Sequence, residues 1–365
     1  MKIAIIGLSN SGKTTIFNAL TGQDLVTTIY PTAAGEPHYG TVRVPDPRID
    51  RLSDLFRPKK TTCATVEYVD YLGLTKWDVE QNRKVFDLIK DADAIVHVVR
   101  AFRDDAVSHP LGGPDPFRDF QTVELEMIFG DLEFIEKRLT RMEESAKKGK
   151  KPNEAERNLL LKLQDILEKE TPLRDVDFDE EERKAMSPLQ FISIKPEVVL
   201  VNVGEQDLHS ADATAVTAKI EASLAERQGG REARVVTLSG KIEMEIAQLP
   251  PEEAEAFLED LKITEPALHR LIRVCYELLG MISFLTVGED EVRAWTIRRG
   301  TTALFAAGKV HSDIQRGFIR AEVVHYDDFI AAGSLAAARE KGMLRLEGKT
   351  YEVRDGDIIN FRFNV

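Results

Sequence analysis

The sequence predicts a doubly wound α/β fold, and three observations carry that prediction. First, a short apolar run, Ile3-Ala4-Ile5-Ile6, leads into a glycine-containing loop, after which Ile16, Ala19 and Leu20 recur at helical spacing. Second, residues 66–70, 94–99, 198–201 and 234–237 read as strands separated by helical stretches. The run at 94–99 is nearly all apolar, as strands buried on both faces are. Third, the spacing breaks between 94–99 and 198–201, where a helical pattern takes over.

The first loop reads Gly7-Leu8-Ser9-Asn10-Ser11-Gly12-Lys13-Thr14, which fits GxxxxGK[ST] between a strand and a helix. Main-chain N–H groups of such a loop, with the dipole of the following helix, cradle an anion. Lys13 is expected to reach the terminal phosphates of a nucleotide, and Thr14 to offer its hydroxyl to Mg²⁺. Asn10, Ser11, Gly12 and Thr15 complete the expected cradle. Gly7 and Gly12 read as positions where a side chain would block the backbone's approach to phosphate.

Residues 27–47, rich in Thr, Pro and Gly, read as loop with a strand near 41–44. Asp70-Tyr71-Leu72-Gly73 then ends a strand and fits DxxG. In that motif the carboxylate holds Mg²⁺ through water and the glycine N–H meets the terminal phosphate. Leu125, Ile128, Leu132, Ile135, Leu139 and Met142 form a heptad seam, interrupted by Lys147-Lys148-Gly149-Lys150-Lys151-Pro152. Asn153 reads as an N-cap with Glu156 three residues on, ahead of Leu159, Leu160, Leu163, Ile166 and Leu167. The expectation is an inserted pair of antiparallel helices with a basic tip, either a solvated turn or a contact for RNA phosphates.

Asn202-Val203-Gly204-Glu205 ends the fourth strand, where GTPases carry NKxD. Val203 replaces the Lys that lies along guanine, and Glu205 replaces the Asp that accepts from its ring N–H and amino group. Adenine offers an acceptor where guanine has a donor, so the change favours ATP or a loosened choice of base. Ser239-Gly240-Lys241 fits the loop whose backbone closes over the base. Taken singly, each of these last two motifs also fits an ordinary strand-end loop; four motifs in order, each at a strand's C-terminal end, point to a nucleotide site.

From residue 282 the character changes to a small α+β segment. Strands are expected at 283–287, 291–297, 318–324 and 358–363, with short helices at 302–309 and 334–341. A helix over 265–279 attaches it. The implied division is 1–124 with 194–281 as the nucleotide-binding domain, 125–193 as the helical insertion and 282–365 as the last domain.

Composition sets the outer bounds. The 365 residues, 43% hydrophobic and 30% charged, describe a globular protein of two or three domains. Cys63 and Cys275, the two cysteines, make neither a disulfide framework nor a four-cysteine zinc site. No signal peptide or membrane-spanning run is read, so a cytoplasmic monomer is expected. A net charge of −13 argues against bulk attraction to nucleic acid. The segment from 282 carries 12 Lys+Arg and 12 Asp+Glu, so the acidic excess lies before it.

With these residues in view, the chain resembles the Obg-like ATPases, or YchF proteins, of the translation-factor class of P-loop NTPases. The resemblance rests on the glycine loop, on Val44-Pro45-Asp46-Pro47-Arg48, on Asp93 to Arg100, on Asn202 to Glu205 and on Ser239 to Glu243. It continues in Val292 to Ile297, Gly317 to Val323 and Phe361 to Val365. It implies a C-terminal TGS domain of β-grasp type, ATP preference, slow hydrolysis and association with the ribosome or another RNA–protein particle. It also implies that His109, in the loop before the insertion, orients water or contacts phosphate, because Leu74 stands where Ras-type GTPases carry Gln. Asn10 resembles the asparagine with which related NTPases help bind K⁺. Two departures concern turnover. Ala34 stands where the family's first switch carries Thr, with Thr32 the nearest hydroxyl, and the second switch, Thr75 to Asn82, is short and lacks glycine. Two alternatives stay open: a GTPase of the same fold, and a regulatory module that binds nucleotide without hydrolysing it.

Overall fold

The computed structural model describes residues 1–25, 36–149, 151, 153–227, 233–261 and 263–364. Thr32, Ala34 and Lys150 lie outside the described residues. The chain divides into two compact units, Met1–Val42 with Glu67–Leu271 and Arg43–Val66 with Ile272–Val365.

The chain opens with β1 (Lys2–Ile6), α1 (Lys13–Thr21), β2 (His38–Arg43), α2 (Pro47–Phe56), β3 (Lys60–Thr62) and β4 (Thr65–Asp70). It continues through α3 (Val79–Ile89), β5 (Ala94–Arg100), α4 (Pro116–Lys147), α5 (Glu154–Leu167) and α6 (Glu180–Met186). Then follow β6 (Glu197–Asn202), α7 (Ala211–Ala225), β7 (Ala233–Leu238), α8 (Gly240–Gln248), α9 (Pro251–Asp260) and α10 (Ala267–Leu278).

In the first unit six strands form one sheet in the order β2-β4-β1-β5-β6-β7. β1 pairs in parallel with β4 and β5, and β5-β6-β7 continue in parallel. The order reverses at β1, which is the topological switch point where open α/β sheets place their ligands. Both faces are covered, as parallel strands require. On one face Val85, Phe86 and Ile89 of α3 and Val123 and Met127 of α4 pack on Ala4, Ile6, Val69 and Ile95. Further across the same face, since the register sets Ile6 beside His97 and His97 beside Val199, Ala213, Ile220 and Leu224 of α7 pack on Val199 and Val201, joined by Phe120.

The inserted helices start earlier than the heptad suggests. Asp115 caps α4, accepting from Arg118 N, and the helix runs 32 residues from there. Its first half belongs to the sheet's core. Further on, Ile128 and Ile135 instead pack with Leu159, Leu160, Leu163 and Leu167 of α5. The expected N-cap is present, with Asn153 Oδ1 accepting from Glu156 N at 3.3 Å. The Glu156 carboxylate does not return to the cap; it takes Arg138 of the facing helix, Nε to Oε1 2.6 Å.

Beneath this junction lies a buried charge network. Arg174 donates to Glu197 Oε2 at 2.6 Å and to Glu124. Glu197 also bonds His97 Nδ1 at 2.8 Å, while Arg227 reaches Glu124 Oε2 at 2.5 Å. Burial opposes ionisation of Glu197, but Arg174 and His97 prevail and hold its pKa down to about 2. The network joins β5, β6, α4 and the segments after α5 and α7, so it fixes how the insertion leaves the sheet.

The second unit continues with β8 (Met281–Thr286), β9 (Glu291–Arg298), α11 (Ala303–Val310), α12 (Ser312–Arg316) and β10 (Phe318–His325). It ends with α13 (Tyr326–Ala332), α14 (Leu335–Glu340), β11 (Arg345–Glu347) and β12 (Asp357–Phe363). Its mixed sheet has the order β11-β10-β12-β8-β9-β3. Here the structure divides the chain differently from the sequence reading. Residues 43–66, placed by the sequence reading within the first domain, belong to this unit, and β3 pairs in parallel with β9. Arg48 is one tie: it bonds Asp46, the cap of α2, and Asp355 Oδ2 at 2.8 Å. The core gathers Ile282, Phe284, Ile297, Ala306, Val323 and Phe361.

Arg174→Met leaves Glu124 and Glu197 buried without their shared cation. The expected loss is about 3–5 kcal/mol of the stability of the first unit, read as a fall in the midpoint of its urea transition. A midpoint unchanged from that of the parent protein would contradict the role given to the network.

Candidate functional site

The loop between β1 and α1 owes its shape to close approach. A Cβ on Gly7 would lie 2.3 Å from Val98 O, and one on Gly12 would lie 2.3 Å from Asn202 Nδ2. Gly12 also has φ +94°, and Asn10 has φ +63°. The sequence reading reserved these glycines for phosphate; the structure shows that neighbouring strands already exclude a side chain there.

Lys13, in the first turn of α1, is buried, and its Nζ donates to Leu8 O at 3.0 Å. Burial pushes its pKa down, against the pull of Asp70. Thr14 Oγ1 donates to Asp70 Oδ2 at 2.8 Å. Burial pushes the Asp70 carboxyl up, opposed by Lys13, Thr14 and His38. Asp70 Oδ1 is buried without a hydrogen-bond partner among the described residues. A hydroxyl beside a carboxylate with an unsatisfied oxygen is the donor set a hard cation takes, so a nucleotide-associated metal fits here.

The loop after β4 lies against the first loop. A Cβ on Gly73 would come within 2.6 Å of Ser9 N and Cα. Leu74 N donates to Gly7 O at 2.9 Å and Ser9 N to Leu74 O at 3.2 Å, and the Leu74 side chain is fully buried in the core. The short second switch is held from α3 and α4. Asn82 Oδ1 accepts from Thr75 N at 2.9 Å, and Asn82 Nδ2 donates to Thr75 O at 2.8 Å and to Glu126 Oε2 at 2.7 Å. Glu126 Oε1 also accepts from Trp77 N at 3.1 Å.

At the far strand ends Asn202 is a clamp. Its Nδ2 donates to Ser11 O at 3.0 Å, and its Oδ1 accepts from Gly240 N at 2.9 Å. Val203 is buried in the apolar cluster under α7. Glu205 pairs with Lys241, and that bond raises the lysine's pKa. Ser239 Oγ is buried without a partner among the described residues.

These loops enclose a cavity of about 790 Å³, within the range of small-molecule sites. Asn10, Gly12, Lys13, Thr14 and Thr15 line it from the first loop, and Asp70 and Gly73 from the second. Asn202, Val203, Glu205 and Ser239 line its other end. Ser11 and Gly240 do not line it; both are bonded to Asn202.

His109 does not line it either. Its ring is buried, with Nε2 2.8 Å from Asp119 Oδ2 and Nδ1 accepting from Leu111 N at 3.1 Å. It borders a separate void of about 10 Å³, room for one water, together with Ser11 and His97. Burial lowers its pKa, against Asp119, which raises it. In this conformation His109 holds a loop against α4.

Several lining residues escaped the sequence reading, among them Gln81, Phe102 and Asp104. A signal existed for the wall formed by residues 102–107. Arg100 ends an apolar strand, and its guanidinium collects the carbonyls of Phe102, Asp104, Val107 and Ser108 at 3.1–3.4 Å. Asn10 Nδ2 reaches the same Ser108 O at 3.0 Å, which ties that wall to the first loop. His97, Glu124 and Glu197 also bring ligand atoms within 4.8 Å of one another, but Arg174 already bridges the two carboxylates. That cluster is an ion-pair network, not a metal centre.

Comparison with known proteins fits this geometry. Residues 2–125 match a family model described as 50S ribosome-binding GTPase (MMR_HSR1). Residues 281–364 match YchF-GTPase_C, described as a protein of unknown function (DUF933). A Bacillus subtilis relative named ribosome-binding ATPase YchF is 43% identical, covering 99% of this chain and 98% of its own. The Escherichia coli O157:H7 protein of that name is 38% identical over 100% of this chain and 99% of its own. The solved Schizosaccharomyces pombe YchF GTPase superposes with a TM-score of 0.80 at 30% identity, covering 99% of this chain and 97% of that one. With identity of this degree across its full length, a P-loop fold and the four strand-end loops in order, the chain belongs to the YchF family.

Proposed function

We propose that the protein is an ATP-binding, slowly hydrolysing switch that associates with the ribosome. The observation that carries this is the grouping of Lys13, Thr14 and Asp70 at one end of a nucleotide-sized cavity. An ammonium this deeply buried calls for an anion, and the terminal phosphates supply one. Mg²⁺ is the metal in this reading, held by the Thr14 hydroxyl and, through water, by Asp70. It would neutralise charge on the terminal phosphates when bound. Lys13 binds those phosphates, and the main chain of Gly12 to Thr15 orients them. K⁺ is assigned to Asn10, whose amide would then exchange its bond to Ser108 O for one arranged around the ion.

At the base end, Glu205 is engaged by Lys241 and Val203 offers no charge, so the two groups that select guanine are missing. The names of the bacterial relatives support ATP; that of the solved fungal relative, a GTPase, makes GTP the reading to test against. Competition of unlabelled ATP and GTP for a bound fluorescent nucleotide is expected to favour ATP. A clear preference for GTP would overturn the assignment.

Ribosome association rests on those relatives' names and would place the protein in the cytoplasm. Lys147, Lys148 and Lys151 are exposed at the end of the α4–α5 hairpin, where phosphate contacts release counterions. Ribosome co-sedimentation is expected to weaken with added salt and when Lys147, Lys148, Lys150 and Lys151 are replaced by Gln. Unchanged co-sedimentation of that variant would remove the tip from the interface.

A further inference from the structure

Two polar atoms beneath the first loop, Ser11 Oγ and His97 Nε2, have no hydrogen-bond partner among the described residues. Both side chains are buried, Ser11 at 2% and His97 at 0% exposure. The loop can tuck the serine inward because residue 7 is glycine: a Cβ there would lie 2.9 Å from Ser11 Oγ. β5 supplies the histidine, since the register sets His97 beside Ile6, one residue before Gly7. Both residues border the void of about 10 Å³, room for one water. Arg100, His109 and Asp119 border it as well, but they are already engaged. Arg100 is bonded to carbonyls, His109 to Leu111 N and Asp119, and Asp119 also to Arg118. Two unbonded polar atoms in the interior are costly, and a single water between them satisfies both.

We propose that this void holds a structural water bonding Ser11 Oγ to His97 Nε2, which makes His97 a positioning residue for the loop that takes the terminal phosphates. This rests on the nucleotide-binding reading above and adds a part to its site. Glu197 is held ionised and only accepts, so His97 Nδ1 carries the proton of their bond and Nε2 of the neutral ring presents a lone pair. The water donates one O–H to Nε2, and its oxygen accepts from the Ser11 hydroxyl. Ser11 stands between two residues of left-handed backbone, Asn10 at φ +63° and Gly12 at φ +94°. Asn202 already holds its carbonyl, so fixing its side chain from below leaves the turn one geometry. That turn leads straight into the main-chain N–H groups that receive phosphate in this reading. Through His97 the same water joins the loop to Glu197 and Arg174, the network that fixes how the insertion leaves the sheet.

The test compares two substitutions in the full chain. His97→Asn keeps an amide N–H for Glu197 and loses the group facing the void; His97→Gln keeps a polar group near the place of Nε2 and loses the bond to Glu197. Affinity for ATP with Mg²⁺, read by displacement of a fluorescent ATP analogue, is expected to fall about tenfold in His97→Asn and to stay within about threefold of the parent in His97→Gln. Urea midpoints are expected in the opposite order, with His97→Gln the lower. Ser11→Ala is expected to lose the same tenfold, and the double variant with His97→Asn no more than either alone, because one water serves both. Parent affinity in His97→Asn and Ser11→Ala, or multiplied losses in the double variant, would overturn the inference and leave the nucleotide reading intact. Affinities that follow the urea midpoints would also overturn it, reducing His97 to a partner of Glu197. A crystal structure of the parent is the second readout: a water within about 3.2 Å of both atoms supports the inference, and an empty void overturns it. No saturable binding of ATP or GTP by the parent would sink the nucleotide reading and the positioning role with it, and the water would then be judged by the crystal structure alone.

Discussion

A buried ammonium is the constraint around which the first unit is arranged. Lys13 has a backbone carbonyl and a nearby carboxylate for company, and both are modest compensation for leaving water. The arrangement makes sense as one half of a pair whose other half is a polyanion. The loop can pass between β5 and Asn202 because two of its positions carry no side chain. Asn202 then spends its whole carboxamide in tying Ser11 to Gly240, so two strand-end loops move as one.

The same unit shows how a change at that point could travel. Glu126 of α4 receives both Asn82 and the backbone of Trp77, so the second switch is bonded to the helix that becomes the hairpin. Two residues earlier, Glu124 of that helix enters the Arg174 network with β5 and β6. Within two residues, α4 is thus fastened to the switch and to the sheet. It then runs on, past Ile128 and Ile135, to the basic tip. A shift in the second switch has a continuous covalent and hydrogen-bonded route to the far end of the insertion, which is the physical content of calling the protein a switch.

Much of this was legible in the sequence because it depends on local rules. The strand-loop-helix at Gly7 to Thr14, the apolar strands and the heptad of α4 follow from residue spacing, and the structure contains each of them. What escaped depends on contacts far apart in the chain. Residues 60–62 form a strand only because β9 is there to receive them, and nothing in Lys60-Thr61-Thr62 announces that partner. Leu125 belongs to the seam by spacing, yet α4 begins nine residues earlier, because Phe120 and Val123 cover a sheet assembled from distant strands. His109 drew attention through resemblance, while Asp119, ten residues on, decides where the ring lies. Gln81 carried no motif at all; only the fold brings it to Gly73.

The central claim is that Lys13 and the loop around it exist to hold a triphosphate. The most direct measurement is the thermal midpoint of the protein with and without saturating Mg·ATP, in the parent chain and in Lys13→Met. A ligand that binds the folded state alone raises the midpoint, so the parent is expected to gain several degrees and the variant almost none. An equal gain in both, or no gain in the parent with any nucleoside triphosphate, would contradict the account.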